Sequence, residues 1–258
     1  MTEFQHIKFA IDDRVARITL ARPPLNILNI AMMREILAAV NECAQQRQIA
    51  AIVFDAAPGC NAFSAGVAVE DHVPDMVFQM LDTFHSIFRS LVQAAKPAVA
   101  VVDGPALGGG CELMLACDVI IASKRSRFGQ PEIKLGVFPP IAAMLLPRII
   151  GEKRASELIL TGELVEADEA LRLGLVNYVV APEELGKKTD ELLGKLRELS
   201  ASSLGMARAA LDIANRKNFE ALLHEVEDLY LHELMRTSDA DEGVRAFMEK
   251  RKPEWRNK

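Results

Sequence analysis

Gly104-Pro105-Ala106-Leu107-Gly108-Gly109-Gly110-Cys111-Glu112-Leu113 runs from a valine-rich segment into an apolar one, and Gln130-Pro131-Glu132 follows it. A strand that ends in three glycines and continues as a short buried helix is the mark of a layered α/β fold. Glycines 108–110 carry no Cβ, so a bound molecule can come close to the main chain. The first N–H groups of a helix beginning there have no partner within the helix, and its dipole favours negative charge. Glu112 is also unusually placed. From Pro97 to Ser123 there is no Lys, Arg or His, and the only charges are Asp103, Glu112 and Asp118. Asp103 and Asp118 fall at expected element edges, whereas Glu112 lies inside the apolar run Cys111–Cys117. A carboxyl group buried without a cation tends to keep its proton, which suits acid–base chemistry better than it suits packing.

The remainder of the chain bounds the kinds of protein this can be. With 258 residues, a main domain plus a small appendage is expected. Half the residues are hydrophobic but only 5% are aromatic, so the core is aliphatic and disorder is excluded. A net charge of −6 without a long basic run argues against nucleic acid as a partner. Cys43, Cys60, Cys111 and Cys117 form no CxxC pair, and the histidines are scattered, so reduced thiols and no metal site are expected. The N-terminus lacks the pattern of a signal peptide, and no apolar run reaches the ~18 residues of a membrane span. A cytoplasmic protein without a membrane association is the expectation.

Alternation over residues 7–20 around Asp12-Asp13 predicts a β-hairpin. Arg22-Pro23-Pro24-Leu25-Asn26 reads as a stiff loop, and Asn29 as the cap of a helix reaching about Gln46. Strands are predicted at 50–55, from 62 to the glycine at 66, at 97–103 and at 119–122, with helices over 74–94 and just after the triple glycine. A strand–strand–helix unit thus recurs three times before residue 125, as in right-handed layering of mostly parallel strands. Beyond Glu152 helical segments dominate. A core of residues 1–200 and a helical region of residues 201–258 are expected.

Phe63-Ser64-Ala65-Gly66 is a second turn of small residues that can bring another N–H to the glycine bend. Two convergent amides form an oxyanion hole, in which each donor contributes roughly 3–4 kcal/mol to a transition state. Tight packing is the other reading of such glycines. Neither the dinucleotide fingerprint nor a phosphate-binding loop is present, which leaves an NAD-dependent dehydrogenase a weak reading. Taken alone, Glu112 could simply favour a helix dipole, and Glu132, flanked by Arg127 and Lys134, could form an exposed salt bridge. Taken together with the glycines, two carboxyl groups in different surroundings can divide the roles of acid and base.

Leu25-Asn26, Ala62-Phe63-Ser64-Ala65-Gly66, the stretch 104–113 and Phe128-Gly129-Gln130-Pro131-Glu132 together resemble the crotonase (enoyl-CoA hydratase/isomerase) superfamily. The likeness continues through Leu160-Thr161-Gly162, Gly174-Leu175-Val176 and Phe247-Met248-Glu249-Lys250-Arg251, nearly the whole chain. It implies an α/β spiral of ββα turns with a C-terminal helical trimerisation region, and self-association as a homotrimer or dimer of trimers. It also implies an acyl-CoA thioester as substrate, with coenzyme A part of that substrate and no separate cofactor. Ala65 and Gly109 would supply the two N–H donors. Glu112 and Glu132 would add water, Glu112 positioning it and Glu132 exchanging the proton at Cα, although both can share one water. Leu25 and the loop Ala65, Gly66, Val67 and Ala68 would line the CoA path, and Phe247 and Lys250 would reach a neighbour's CoA.

Two segments depart from the usual pattern. Pro139-Pro140-Ile141-Ala142-Ala143 stands where hydratases carry a glycine-rich stretch, and Ala68 stands where an Asp is usual. Both segments are similar to the cyclohexa-1,5-diene-1-carbonyl-CoA hydratases, which implies a cyclic dienoyl group against Pro140, Ile141 and Met144. A linear-chain enoyl-CoA hydratase or isomerase is the alternative, and a non-catalytic RNA-binding or scaffolding member of the fold is another.

Overall fold

The computed structural model describes residues 4–215 and 219–256. Strands β1 (Ile7–Asp12) and β2 (Val15–Leu20) form the predicted antiparallel hairpin, with Ile7 opposite Leu20. Helix α1 (Ile30–Gln45) starts at Asn29, whose side chain accepts the backbone N–H of Met32 at 2.9 Å, and it buries Met32, Met33, Ile36 and Val40. Next come β3 (Ala51–Ala56), α2 (Val77–Ala94), β4 (Ala98–Val102), β5 (Pro105–Leu107) and α3 (Gly109–Leu115). The chain continues through β6 (Val119–Ser123), β7 (Arg127–Gly129), α4 (Pro140–Ile150) and α5 (Glu152–Thr161). It then forms β8 (Leu164–Glu166), α6 (Ala167–Arg172), β9 (Tyr178–Val180) and α7 (Leu185–Arg197).

The main sheet has the order β1-β2-β3-β4-β6-β9 and is parallel from β2 onward. Its central strands are apolar on both faces because both are covered. On one side Ile18, Ile52, Phe54 and Ala100 join the large core with α1 and α2; on the other, Val53, Val99 and Ile121 pack against Leu185 and Leu193 of α7. A second, smaller sheet has the order β5-β7-β8. The passes β4–β5–α3 and β6–β7–α4 each visit the main sheet, then the small layer, then a helix, as in the expected spiral of ββα turns.

One predicted strand does not form. Residues 62–67 make only isolated bridges, Ser64 to Ala106 and Leu28 to Val67. Side chains replace a ladder there. The buried Asn26 amide donates to the carbonyls of Ala62 and Phe63 at 3.1 Å each, and Ser64 Oγ donates to the Asn26 carbonyl at 2.7 Å.

Beyond residue 200, α8 (Ala201–Asn215) places Arg208 in an ion pair with Asp118 beside the main sheet. Helix α9 (Phe219–Asp228) passes into a π-helical turn, Leu229–Glu233, before α10 (Ser238–Met248). Phe219, Leu223, Tyr230 and Ala240 are buried in the large core. Among the described residues no helix is long and apolar enough to cross a membrane, and no cluster of ligating side chains could hold a metal ion.

Candidate active site

Glu112 projects from the first turn of α3 and is 3% exposed. Its Oε1 accepts the backbone N–H of Ala142 at 2.9 Å, and the N–H of Ile141 also turns on it. The reason lies in the start of α4. Pro139 offers no capping side chain and Pro140 has no N–H, so the first donors of the helix are Ile141 and Ala142. Glu112, arriving from another element, caps them. Burial pushes its carboxyl up to about 7, and those two N–H groups offset part of the effect.

Glu132 sits on a 3-10 turn, Pro131–Leu135. A Cβ on Gly108 would lie 2.6 Å from Glu132 Oε1, so the carboxyl group rests directly on the glycine bend. Gly108, at φ +51, is bare where that contact occurs. Glu132 Oε2 is buried without a hydrogen-bond partner among the described residues. Burial, and then the charge of Glu112, raises the Glu132 carboxyl well above the ordinary range. The salt-bridge reading is overturned: Arg127 pairs with Glu166 at 3.0 Å, and although the exposed Lys134 stands at the cavity edge, no ion pair reaches either acid among the described residues.

The amides also converge, with one correction. Ala65 is not a free donor, because its N–H goes to the Leu25 carbonyl at 2.9 Å. The N–H of Gly66 goes to Ser64 Oγ at 3.2 Å. Gly66, at φ +109, turns the chain so that the next amide is presented instead. Leu28 bonds the residues on either side of Val67, accepting from Ala68 N at 3.0 Å and donating to Gly66 O at 2.9 Å. The Val67 N–H therefore faces away from Leu28. A Cβ on Gly109 would lie 3.4 Å from Val67 N and 2.6 Å from Val67 Cγ2, so the two backbones are in contact. The N–H of Gly109, at the first position of α3, and that of Val67 have no partner among the described residues. Which amide is free depends on Leu25 and Ser64, and spacing alone does not reveal it.

Both acids and both amides open on one cavity of about 400 Å³. Ala65, Gly66, Val67, Gly109, Pro140 and Phe247 line it, together with Met80, Leu81, Phe84, Phe138 and Pro139. Leu25, Ala68, Ile141 and Lys250 lie outside it. Leu25 and Lys250 are exposed, Ala68 and Ile141 are buried, and Met144 is also absent from the wall. Phe247 lines this chain's own chamber, where the resemblance implied a neighbour's CoA. Sequence reasoning missed His72 and Tyr230 in the wall, since each stands among residues that read as core. The arrangement can hold a carbonyl oxygen that gains charge while two carboxyl groups act beside it.

A family model described as enoyl-CoA hydratase/isomerase matches residues 10–258. The cyclohexa-1,5-dienecarbonyl-CoA hydratase of Thauera aromatica is 37% identical over 249 residues, covering 96% of this chain and 95% of that protein. A probable enoyl-CoA hydratase of Rhizobium meliloti (strain 1021) is 41% identical over 251 residues, 95% of each chain. The crystal structure of an enoyl-CoA hydratase from Mycobacterium avium subsp. paratuberculosis K-10 superposes with a TM-score of 0.87 at 26% identity, covering 99% of this chain and 100% of that one.

Proposed function

The chain belongs to the enoyl-CoA hydratase/isomerase family, and we propose that it adds water to, or removes it from, an unsaturated acyl-CoA thioester. The observation that carries this reading is the meeting, in one chamber, of two amides and two carboxyl groups, the amides without a hydrogen-bond partner and the carboxyl groups without an ion-pair partner among the described residues.

In the hydration direction, the N–H groups of Val67 and Gly109 hold the thioester oxygen and stabilise the enolate-like charge that develops as water attacks. Glu112, ionised and held by Ile141 and Ala142, positions the water and takes its proton. Glu132, whose proton is retained by burial and by its neighbour's charge, delivers a proton to Cα. Coenzyme A enters as part of the substrate, so these steps need no separate cofactor. The presence of both acids favours hydration over double-bond migration, which can proceed with one proton-transfer group.

For the acyl group we favour a cyclic dienoyl thioester. Its support is the likeness to the Thauera aromatica protein and the rigid wall that Pro139 and Pro140 build beside Glu112. A linear enoyl group is the second reading, favoured by the Rhizobium meliloti relative. Leu25, Ala68 and Lys250, outside the acyl chamber, are left to the CoA path. The region 201–258 is assigned to self-association, supported by the exposed apolar residues Met206 and Leu211 on α8 and Leu229 after α9. Competition of cyclic dienoyl-CoA against crotonyl-CoA tests the acyl reading. A kcat/KM ratio favouring the ring supports it, and a ratio favouring the linear thioester overturns it.

A further inference from the structure

Tyr230 follows Phe219, Leu223 and Val226 on the inner stripe of α9, and it stands in the π-helical turn where that helix widens. Such turns recur at functional sites. The residue is 1% exposed, and its ring packs edge-on against Phe138 with centroids 5.2 Å apart. It forms part of the chamber wall alongside both acids. Its hydroxyl has no hydrogen-bond partner among the described residues, yet it is not among the sealed polar atoms, so the little surface it keeps faces the chamber. Burial, and then the charges of Glu132 and Glu112, hold the phenol protonated, and the latter two place it within electrostatic reach of both carboxyl groups.

A phenylalanine would fill the same stack without withdrawing a hydroxyl from water. The hydroxyl therefore calls for a partner that the protein does not supply. The Val67 and Gly109 amides already serve the thioester oxygen, which leaves the oxygen held between the acids. Resting on the hydratase reading, we infer that Tyr230 donates a hydrogen bond from the chamber wall to the oxygen that begins as water and ends as the product hydroxyl. Tyr230 exchanges no proton itself. It fixes the lone pairs of that oxygen, so that one points at the β-carbon while Glu112 takes a proton.

Tyr230→Phe keeps the ring and its packing on Phe138. The expected result is a kcat lowered by about 10- to 100-fold, a KM within about twofold of wild type, and a Tm unchanged or raised. A kcat within about twofold of wild type overturns the inference, whatever happens to KM, and leaves hydration standing. A loss of kcat accompanied by a fall in Tm also overturns it, since that is the mark of a core residue alone. Should the wild-type protein hydrate no thioester of a linear and cyclic panel, the hydratase reading fails first and this inference with it.

Discussion

Glu112 Oε1 lies 2.9 Å from the backbone nitrogen of Ala142, and through that contact a buried acid serves as the cap of a helix that begins with two prolines. The same contact gives the acid a stability signature. Its folded-state carboxyl titrates near 7 against an ordinary 4.5, so the folded protein binds a proton that the unfolded chain has already released. The contribution of this acid to stability is therefore full below about pH 4.5 and falls as pH rises towards 7, by on the order of 3 kcal/mol at ~1.4 kcal/mol per unit. Glu112→Gln keeps an oxygen for Ala142 and removes this titration. The variant is expected to match wild type at pH 5 and to melt at a higher temperature at pH 8. A Tm difference that does not grow with pH contradicts the placement of the acid.

The activity profile follows from the same pair. One carboxyl must be ionised and the other protonated, and the two titrations are linked because the charge of Glu112 helps to raise Glu132. A bell-shaped kcat/KM is expected, rising near pH 7 and falling at higher pH as the second proton leaves. Steady-state rates between pH 5 and 10 check this, and a flat profile across that range is incompatible with the pair.

Gly108 offers a test that leaves both acids in place. Its backbone stands at φ +51, and an added Cβ would meet Glu132 Oε1 at 2.6 Å. Gly108→Ala is expected to lose about 1–3 kcal/mol of stability to backbone strain, and to lower kcat at least tenfold by displacing the carboxyl group. Full turnover in this variant argues that Glu132 works from elsewhere.

Arg208 supplies a stability test remote from the chamber. It is 3% exposed and pairs with Asp118 and Asp212, while Asp118 also accepts the backbone N–H of Ala98 at 2.8 Å. Helix α8 is thereby tied to the main sheet. Removing one partner of a buried pair leaves charge uncompensated, so Arg208→Met is expected to lose about 3–5 kcal/mol in urea unfolding. A loss below about 1 kcal/mol contradicts this anchoring.

Much of the fold was legible because it is written locally. The hairpin, the Asn29 cap and the apolar strands need only alternation, one side chain and a run of valines. Glu112 stood out because a carboxylate within a cation-free apolar run has few structural uses. Other features depend on contacts that no window of sequence contains. The segment 62–67 escaped regular pairing because Asn26 and Ser64 satisfy its backbone. Val67 rather than Ala65 holds the free amide because Leu25 takes the other. Arg127, one short strand before Glu132 in sequence, turned to Glu166 across β7 and β8. Tyr230 was hidden because its helical stripe looks like any other buried face. Helix α4 was overlooked although Pro139-Pro140 is a recognisable start signal, and Glu112 gains its role from that helix.

The most direct test of the whole account is turnover of enoyl- and dienoyl-CoA thioesters in ¹⁸O-labelled water, followed by mass spectrometry, for wild type, Glu112→Gln and Glu132→Gln. Wild type is expected to yield a thioester heavier by one labelled water, and each variant to bind the thioester while losing about 10²–10⁴-fold in rate. Thioester recovered without added oxygen from wild type, or labelled product formed at the wild-type rate by either variant, contradicts the pairing of Glu112 and Glu132 over a thioester held by Val67 and Gly109.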